Sequence, residues 1–227
     1  MADTLRPEPL FIADAPALDF LNSVAAPWGT EIEWLAGGLD LLDWLERAGF
    51  ISAEVLADFR EKASPEALDE VADQARELRE WFRRFIAAHA GGRLEPSALP
   101  DLDKINRLLV RDEAYRQIEA REIHAAHEDQ DGTHLPLQWW RGRRWRGPED
   151  LLLPIADAMG EFICGADFER VKSCEGPTCT MWFQDVSKNH TRRWCAMAVC
   201  GNRAKAAAHR AKKRSADVVR LKRAESD

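Results

Sequence analysis

Residues 172–214 read KSCEGPTCTMWFQDVSKNHTRRWCAMAVCGNRAKAAAHRAKKR, and they hold four of the chain's five cysteines in two pairs. Cys174 and Cys179 enclose four residues, as do Cys195 and Cys200, and fifteen residues separate the pairs. Intervals of C-x2–4-C across a gap of x15–20 are those of structural zinc sites. A tetrahedral ion takes two ligands from each of two chain segments, and each short loop must turn back on itself. Gly176-Pro177 serves the first loop, and Gly201 follows the last sulfur, where a left-handed turn costs least. Four thiolates leave no open coordination position. The pattern therefore points to one structural Zn2+ per chain on Cys174, Cys179, Cys195 and Cys200, and away from hydrolytic metal chemistry. His190, between the pairs, could replace one ligand, but four cysteines suffice. Two disulfides or unliganded core thiols are the competing readings. A redox pair usually takes C-x-x-C, which is absent. Cys164, alone on an apolar helix face, reads as core.

The surroundings favour metal over disulfides. The chain has 227 residues, 45% hydrophobic and 31% charged, ordinary for a folded soluble protein. No apolar run approaches the ~18 residues that span a bilayer, and the first twenty residues lack a secretory signal. The cytoplasm, where thiols stay reduced, is the expected location. The net charge of −7 conceals an asymmetry. Residues 1–169 carry 18 Lys+Arg against 34 Asp+Glu, a net −16, whereas residues 170–227 carry 14 against 5, a net +9. An acidic body with a basic C-terminal quarter is expected when one end meets a polyanion.

Upstream of the cysteines the pattern is mostly helical. In SPEALDEVADQARELREWFRRFIAAH (64–89), Ser64 suits a cap, Pro65 suits the first helical position, and Leu68, Val71, Ala75, Leu78, Phe82 and Phe85 recur at alternating spacings of three and four. Gly91-Gly92 stops it. Shorter amphipathic stretches cover 39–48, 52–62, 99–110 and 151–166, with Pro154 marking a start or kink in the last. YRQIEAREI (115–123) and HLPLQWWRGRRWR (134–146) flank a turn at Asp131-Gly132 and read as a β-hairpin, although a helix through 112–127 also fits. FERVKSC (168–174) and TMWFQDV (180–186) suggest a second, shorter hairpin. The fold class is α+β, mainly α. A helical domain over 1–168 carries one hairpin; a four-cysteine module over 169–216 has a short hairpin and a C-terminal helix; a tail covers 217–227.

CGNRAK (200–205), after the paired cysteines and RRWC (192–195), resembles the CGNR zinc-finger family of bacterial proteins. ALDFLNSV (17–24) is similar to the LDF-N-T opening of the ABATE domain that usually precedes that finger, with Ser23 where threonine is common. The resemblance covers essentially the whole chain. It implies a zinc module in a stress-related transcription regulator, with Cys174, Cys179, Cys195 and Cys200 as the metal ligands.

Beyond Cys200, Asn202 can cap a helix running to about 214. In it Ala204, Ala207, Ala208 and Ala211 form a small apolar stripe suited to close packing on the finger. Lys205, His209, Lys212 and Lys213 lie on one flank, and Arg203, Arg210 and Arg214 on the other. Such a helix can touch phosphates and fits the DNA major groove, with Arg192 and Arg193 adding to the surface. Two plainer readings compete. Lys172, Arg192, Arg193 and Arg203 can balance the charge of a four-thiolate zinc, and Lys212, Lys213 and Arg214 can answer the helix dipole.

Of the nine tryptophans, Trp28, Trp34, Trp44 and Trp81 read as core, and Trp182 and Trp194 as shields for the metal. WWRGRRWR (139–146) resembles a single-strand stacking platform, but alternate burial in a hairpin with arginine stacking fits better. His124 and His127 with Glu128 and Asp129 read as a solvated turn. No catalytic triad, phosphate loop or nucleotide fingerprint appears, so no enzyme activity is expected. The leading reading is a DNA-binding regulator of transcription whose acidic domain senses a small-molecule or protein signal or forms a homodimer, with no membrane partner. A zinc-stabilised protein-interaction module, and a ligand-binding or enzymatic N-terminal domain with a zinc appendix, are the alternatives.

Overall fold

The computed structural model describes residues 6–120 and 137–224. The turn at Asp131-Gly132, the His124–Asp129 cluster and the last three residues of the tail lie outside the described residues. The chain opens with helix α1 (Pro16–Leu21), followed by a two-residue ladder of β1 (Val24–Ala25) and β2 (Ile32–Glu33). Helices α2 (Gly38–Arg47), α3 (Ala53–Lys62) and α4 (Pro65–His89) come next. A 3-10 turn over Pro96–Leu102 leads into α5 (Asp103–Leu109), so the amphipathic stretch at 99–110 is helical in two pieces. Strands β3 (Ala114–Ala120) and β4 (Leu137–Arg143) pair antiparallel, with Tyr115 opposite Gly142 and Ile118 opposite Trp139. Helix α6 (Leu153–Gly165) follows a 3-10 turn, with Pro154 in its first turn, where its missing N–H costs nothing. Strands β5 (Val171–Ser173) and β6 (Trp182–Gln184) then pair antiparallel, and helix α7 (Asn202–Ala224) ends the described chain. The fold class is the expected one, mainly helical with small strand pairs.

Helix α4 is the spine. Ser64 caps it by accepting the Ala67 N–H, and Leu68, Val71, Ala75, Leu78, Phe82 and Phe85 are all buried, as their spacing demands. On this apolar line pack α1, α2 and the turn before α6. Trp44 of α2 gathers Phe11, Phe20 and Phe50 at ring distances of 5.6, 5.8 and 5.7 Å. Helix α2 has no side-chain cap of its own. Asp69 of α4 accepts the Gly38 N–H at 2.7 Å in that role.

Four sequence expectations change in three dimensions. Trp34 and Trp44 are buried, but Trp28, on the loop between β1 and β2, is 46% exposed. Cys164 is exposed because it falls one step beyond the buried stripe of α6, which ends at Ile163. Trp139 is 71% exposed, not buried by alternation, since β3 and β4 are exposed on both faces along most of their length. Helix α7 does not fold its alanine stripe onto the finger. It packs mainly on the turn before it, and residues 206–214 are exposed.

The crossing of α2 and α4 has no space for a side chain at its first residue. A Cβ on Gly38 would lie 2.3 Å from the Leu68 Cβ and 2.5 Å from its carbonyl carbon. Because backbone cannot step aside as a side-chain tip can, Gly38→Ala is expected to cost about 3 kcal/mol or more, at the upper end for overpacking, read as a shift in the urea midpoint.

Candidate metal centre

The two cysteine loops meet at the turn end of the β5–β6 unit, where the Cys195 N–H donates to the Cys174 sulfur at 3.3 Å. Strand β5 delivers Cys174, whose N–H donates to the Met181 carbonyl at 2.8 Å, and the loop to β6 carries Cys179. The return segment brings Cys195, and a π-helical turn over Met197–Gly201 places Cys200. The four sulfurs all lie within 4.8 Å of one another, and Cys179 and Cys195 are 3.9 Å apart. A zinc–sulfur bond of about 2.3 Å requires tetrahedral edges of about 3.8 Å, so the cage fits the ion. None of the five cysteines is disulfide-bonded. Cys174, Cys195 and Cys200 are buried and Cys179 is partly so.

The sulfurs are close enough to share protons. Hydrogen bonds from Cys179 and then Cys195, reinforced by the N–H groups of Cys195 and Gly176, hold Cys174 down at about 2. The same contact with Cys174 pushes Cys179 up to about 12 and Cys195 higher still. One sulfur's charge is stabilised at its neighbours' expense, a conflict that a divalent cation resolves by letting all four ionise. The four cysteines form a zinc-finger site for one structural Zn2+, whose chemistry is confined to cross-linking the two loops.

The glycines serve contact, not left-handed turns. A Cβ on Gly176 would lie 3.1 Å from the Cys200 sulfur, and one on Gly201 only 2.4 Å from the Met197 sulfur. Neither has a positive φ. Asn202 adopts helical angles and continues the π-turn into α7, so the expected side-chain cap does not form.

The basic residues around the cage divide by direction. Arg192 turns inward. Its guanidinium spends five donors on five acceptors: the carbonyls of Ile12, Gln184, Trp194 and Cys195, and the Asp14 carboxylate. It also lies 4.2 Å over the Phe183 ring. Arg203 bonds the Cys200 sulfur at 3.3 Å and the carbonyls of Val199 and Pro27. Arg193 pairs with Glu175 and lies over Trp194. Lys172 goes to Asp185, not to the sulfurs. Lys205, Arg210, Lys212, Lys213 and Arg214 stand exposed along α7, and no ion pair engages them among the described residues.

The ALDFLNSV stretch is where the N-terminal part meets this module. Leu18, Phe20 and Leu21 are buried, and Asp19 accepts the Ala13 N–H. Asn22 acts as a splint on β6: its amide donates to the Trp182 carbonyl and accepts the Trp182 N–H, both at 2.8 Å. Ser23 accepts from Arg79, which is buried and holds Glu33 through bonds of 2.7 and 2.6 Å. Further links run from Gln184 N–H to the Ala13 carbonyl and from Ala26 N–H to the Thr180 hydroxyl. Sequence reasoning missed Asn22, Asp185 and the inward use of Arg192. The only signal was their place beside recognised motifs.

Asp185 is wholly buried and satisfied by Lys172, the N–H and hydroxyl of Ser187, and the Arg192 N–H. Burial opposes its charge, yet these donors hold it well below the usual carboxylate range. Its contribution is therefore present above the unfolded-state value of about 4 and is lost as pH falls below that. Asp185→Asn is expected to cost about 2–4 kcal/mol at pH 7, and the difference from the parent should shrink on acidification, as followed by urea melts.

Purified protein should carry one zinc per chain by elemental analysis. Chelation at neutral pH should strip amide-exchange protection from residues 171–201 while the middle of α4 keeps its protection.

A family model described as "Putative stress-induced transcription regulator" (ABATE) matches residues 14–166, and the CGNR zinc-finger model matches residues 170–213. A search of curated proteins returned no match. Neither description names an enzyme, and no helix among the described residues is long and apolar enough to cross a membrane. With two thirds of its length under the first match and its sulfur cage under the second, the chain belongs to the ABATE family and carries a CGNR zinc finger after that domain.

Proposed function

We propose that the chain regulates transcription by binding duplex DNA through helix α7, with the zinc purely structural and no catalytic step. The observation that carries this reading is the exposed row Lys205, Arg210, Lys212, Lys213 and Arg214 on a helix that leaves the finger uncovered. A helix of this kind enters the B-DNA major groove, whereas the deep, narrow groove of A-form RNA excludes it. In this reading Arg203 and Arg192 hold the finger, Arg193 borders the contact surface, and only the α7 cations meet phosphate. The acidic residues before 170 repel DNA and turn the basic end toward it. The family description supports a regulatory role for the whole chain. The finger and the N-terminal part act as two functional domains, over 169–216 and 1–168, the second receiving a signal or pairing with another copy.

A protein partner is the second reading, favoured by a groove of about 620 Å3 beside the finger where Phe11, Met197, Trp194 and Arg193 meet. Salt dependence separates the two. If the five α7 cations meet phosphates, log K against log salt should slope by about −4 to −5. Replacing Lys205, Arg210 and Lys212 together by glutamine should reduce that slope by about 3 and weaken binding across sequences alike. An unchanged slope and affinity would favour the protein partner.

A further inference from the structure

Away from the finger, a recess of about 500 Å3 opens between the α2–α3 connection, strand β4 and helix α6. That volume falls among small-molecule sites. Phe50, Trp140 and Trp145 give it aromatic surface, and Asp157 and Glu161 of α6 give it two carboxylates. Its two arginines are not equivalent. Arg143 is committed, holding Asp112 through bonds of 2.7 and 2.8 Å, lying 3.5 Å from Asp157 and standing 5.7 Å over the Trp145 ring. Arg141 is half-exposed and reaches both carboxylates through one nitrogen, at 3.3 Å from Asp157 and 3.1 Å from Glu161.

Asp112, Asp157 and Glu161 set three carboxylates against the two guanidiniums of Arg141 and Arg143. The N-terminal ends of α1, α3 and α6 and the C-terminal end of α2 all border the recess, but these are partial charges that fade within a turn, whereas the carboxylates bring full charges into it. Each carboxylate spends only one oxygen on Arg141. Aromatic faces beside solvent-accessible carboxylate oxygens recognise an organic cation: the rings attract its positive charge and cover its apolar body, and the oxygens accept its N–H groups or sit against its methyls. An anion would meet two carboxylates, and a neutral molecule would gain nothing from them.

We propose that this recess binds a small organic cation with a compact apolar or aromatic body, an amine or quaternary ammonium, and that Arg141 occupies the seat of its charged group. Displacing Arg141 leaves the Arg143–Asp157 pair, at 3.5 Å, to tie β4 to α6, so occupancy of the site loosens the hold on the exposed β3–β4 pair. The site is independent of the α7 reading and stands or falls separately from it.

The test is calorimetric titration of the zinc-loaded full chain at fixed ionic strength with benzyltrimethylammonium, against phenylacetate and benzyl alcohol as anionic and neutral probes of similar size. Ordinary ligand efficiency puts so small a cation at a Kd of the order of 1 mM. Asp157→Asn combined with Glu161→Gln is expected to weaken it by about tenfold or more. Arg141→Gln is expected to tighten it several-fold by removing the internal competitor. Zinc content and thermal melting of each variant are compared with the parent; should the double variant misfold, the direction of the Arg141→Gln change still decides. The proposal is overturned if benzyltrimethylammonium gives no saturable binding, if phenylacetate binds as tightly, or if Arg141→Gln weakens the cation.

Discussion

Two cysteine loops, each too short to carry a core, must be kept within coordinating distance of one another, and the C-terminal part of the molecule is arranged around that demand. The finger matched at residues 170–213 is near the size below which a chain needs a metal or other staple to fold. Zinc ties the sulfurs, but the loops also lean on the N-terminal part. Phe183, Met181 and Cys195 belong to the same buried cluster as Phe20, Leu18 and Phe82. The module is thus continuous with the body's core, and metal binding and domain docking stabilise the same contacts.

Polar groups make that docking specific. Apolar burial alone would tolerate sliding of β6 over α1, whereas the paired bonds between Asn22 and Trp182 fix its register. Arg192 does the same for the return segment. It reaches from the loop before Cys195 to the carbonyl of Ile12 and the carboxylate of Asp14, a residue held at a φ of 59°. Short polar side chains tolerate that left-handed angle better than most. Removing any one partner would leave desolvated donors behind, which is why such networks are complete or costly.

The basic residues of the finger divide into those that hold it together and those that face outward. Arg203 and Arg192 are within reach of the cage or its backbone, so two of the charges beside the zinc site answer local needs. Lys205, Arg210, Lys212, Lys213 and Arg214 have no such duty among the described residues, and their sign opposes that of the body. Separation of this kind within one chain orients a molecule in the field of a polyanion before any contact forms.

The amino-acid sequence alone determined the helix periods, the metal ligands and the charge asymmetry, because each depends on residues close together along the chain. Leu68 to Phe85 must share a face at helical spacing, and two C-x4-C loops need only their own turns to present sulfur. Tertiary structure decided which way the long side chains point and what lies opposite them. Arg192 looks as free as Arg214 in the sequence, but its partners come from residues 12–14, far away along the chain. Gly201 reads as a turn former, and only the folded π-turn reveals that the Met197 sulfur lies where its side chain would be. Trp139 and Trp44 are the same residue with opposite fates, one on a strand pair exposed on both faces and one at the meeting of three aromatic rings. Local periodicity carries no record of where another segment stops. Burial and pairing are set by that distance, and so emerge only when the whole chain has folded.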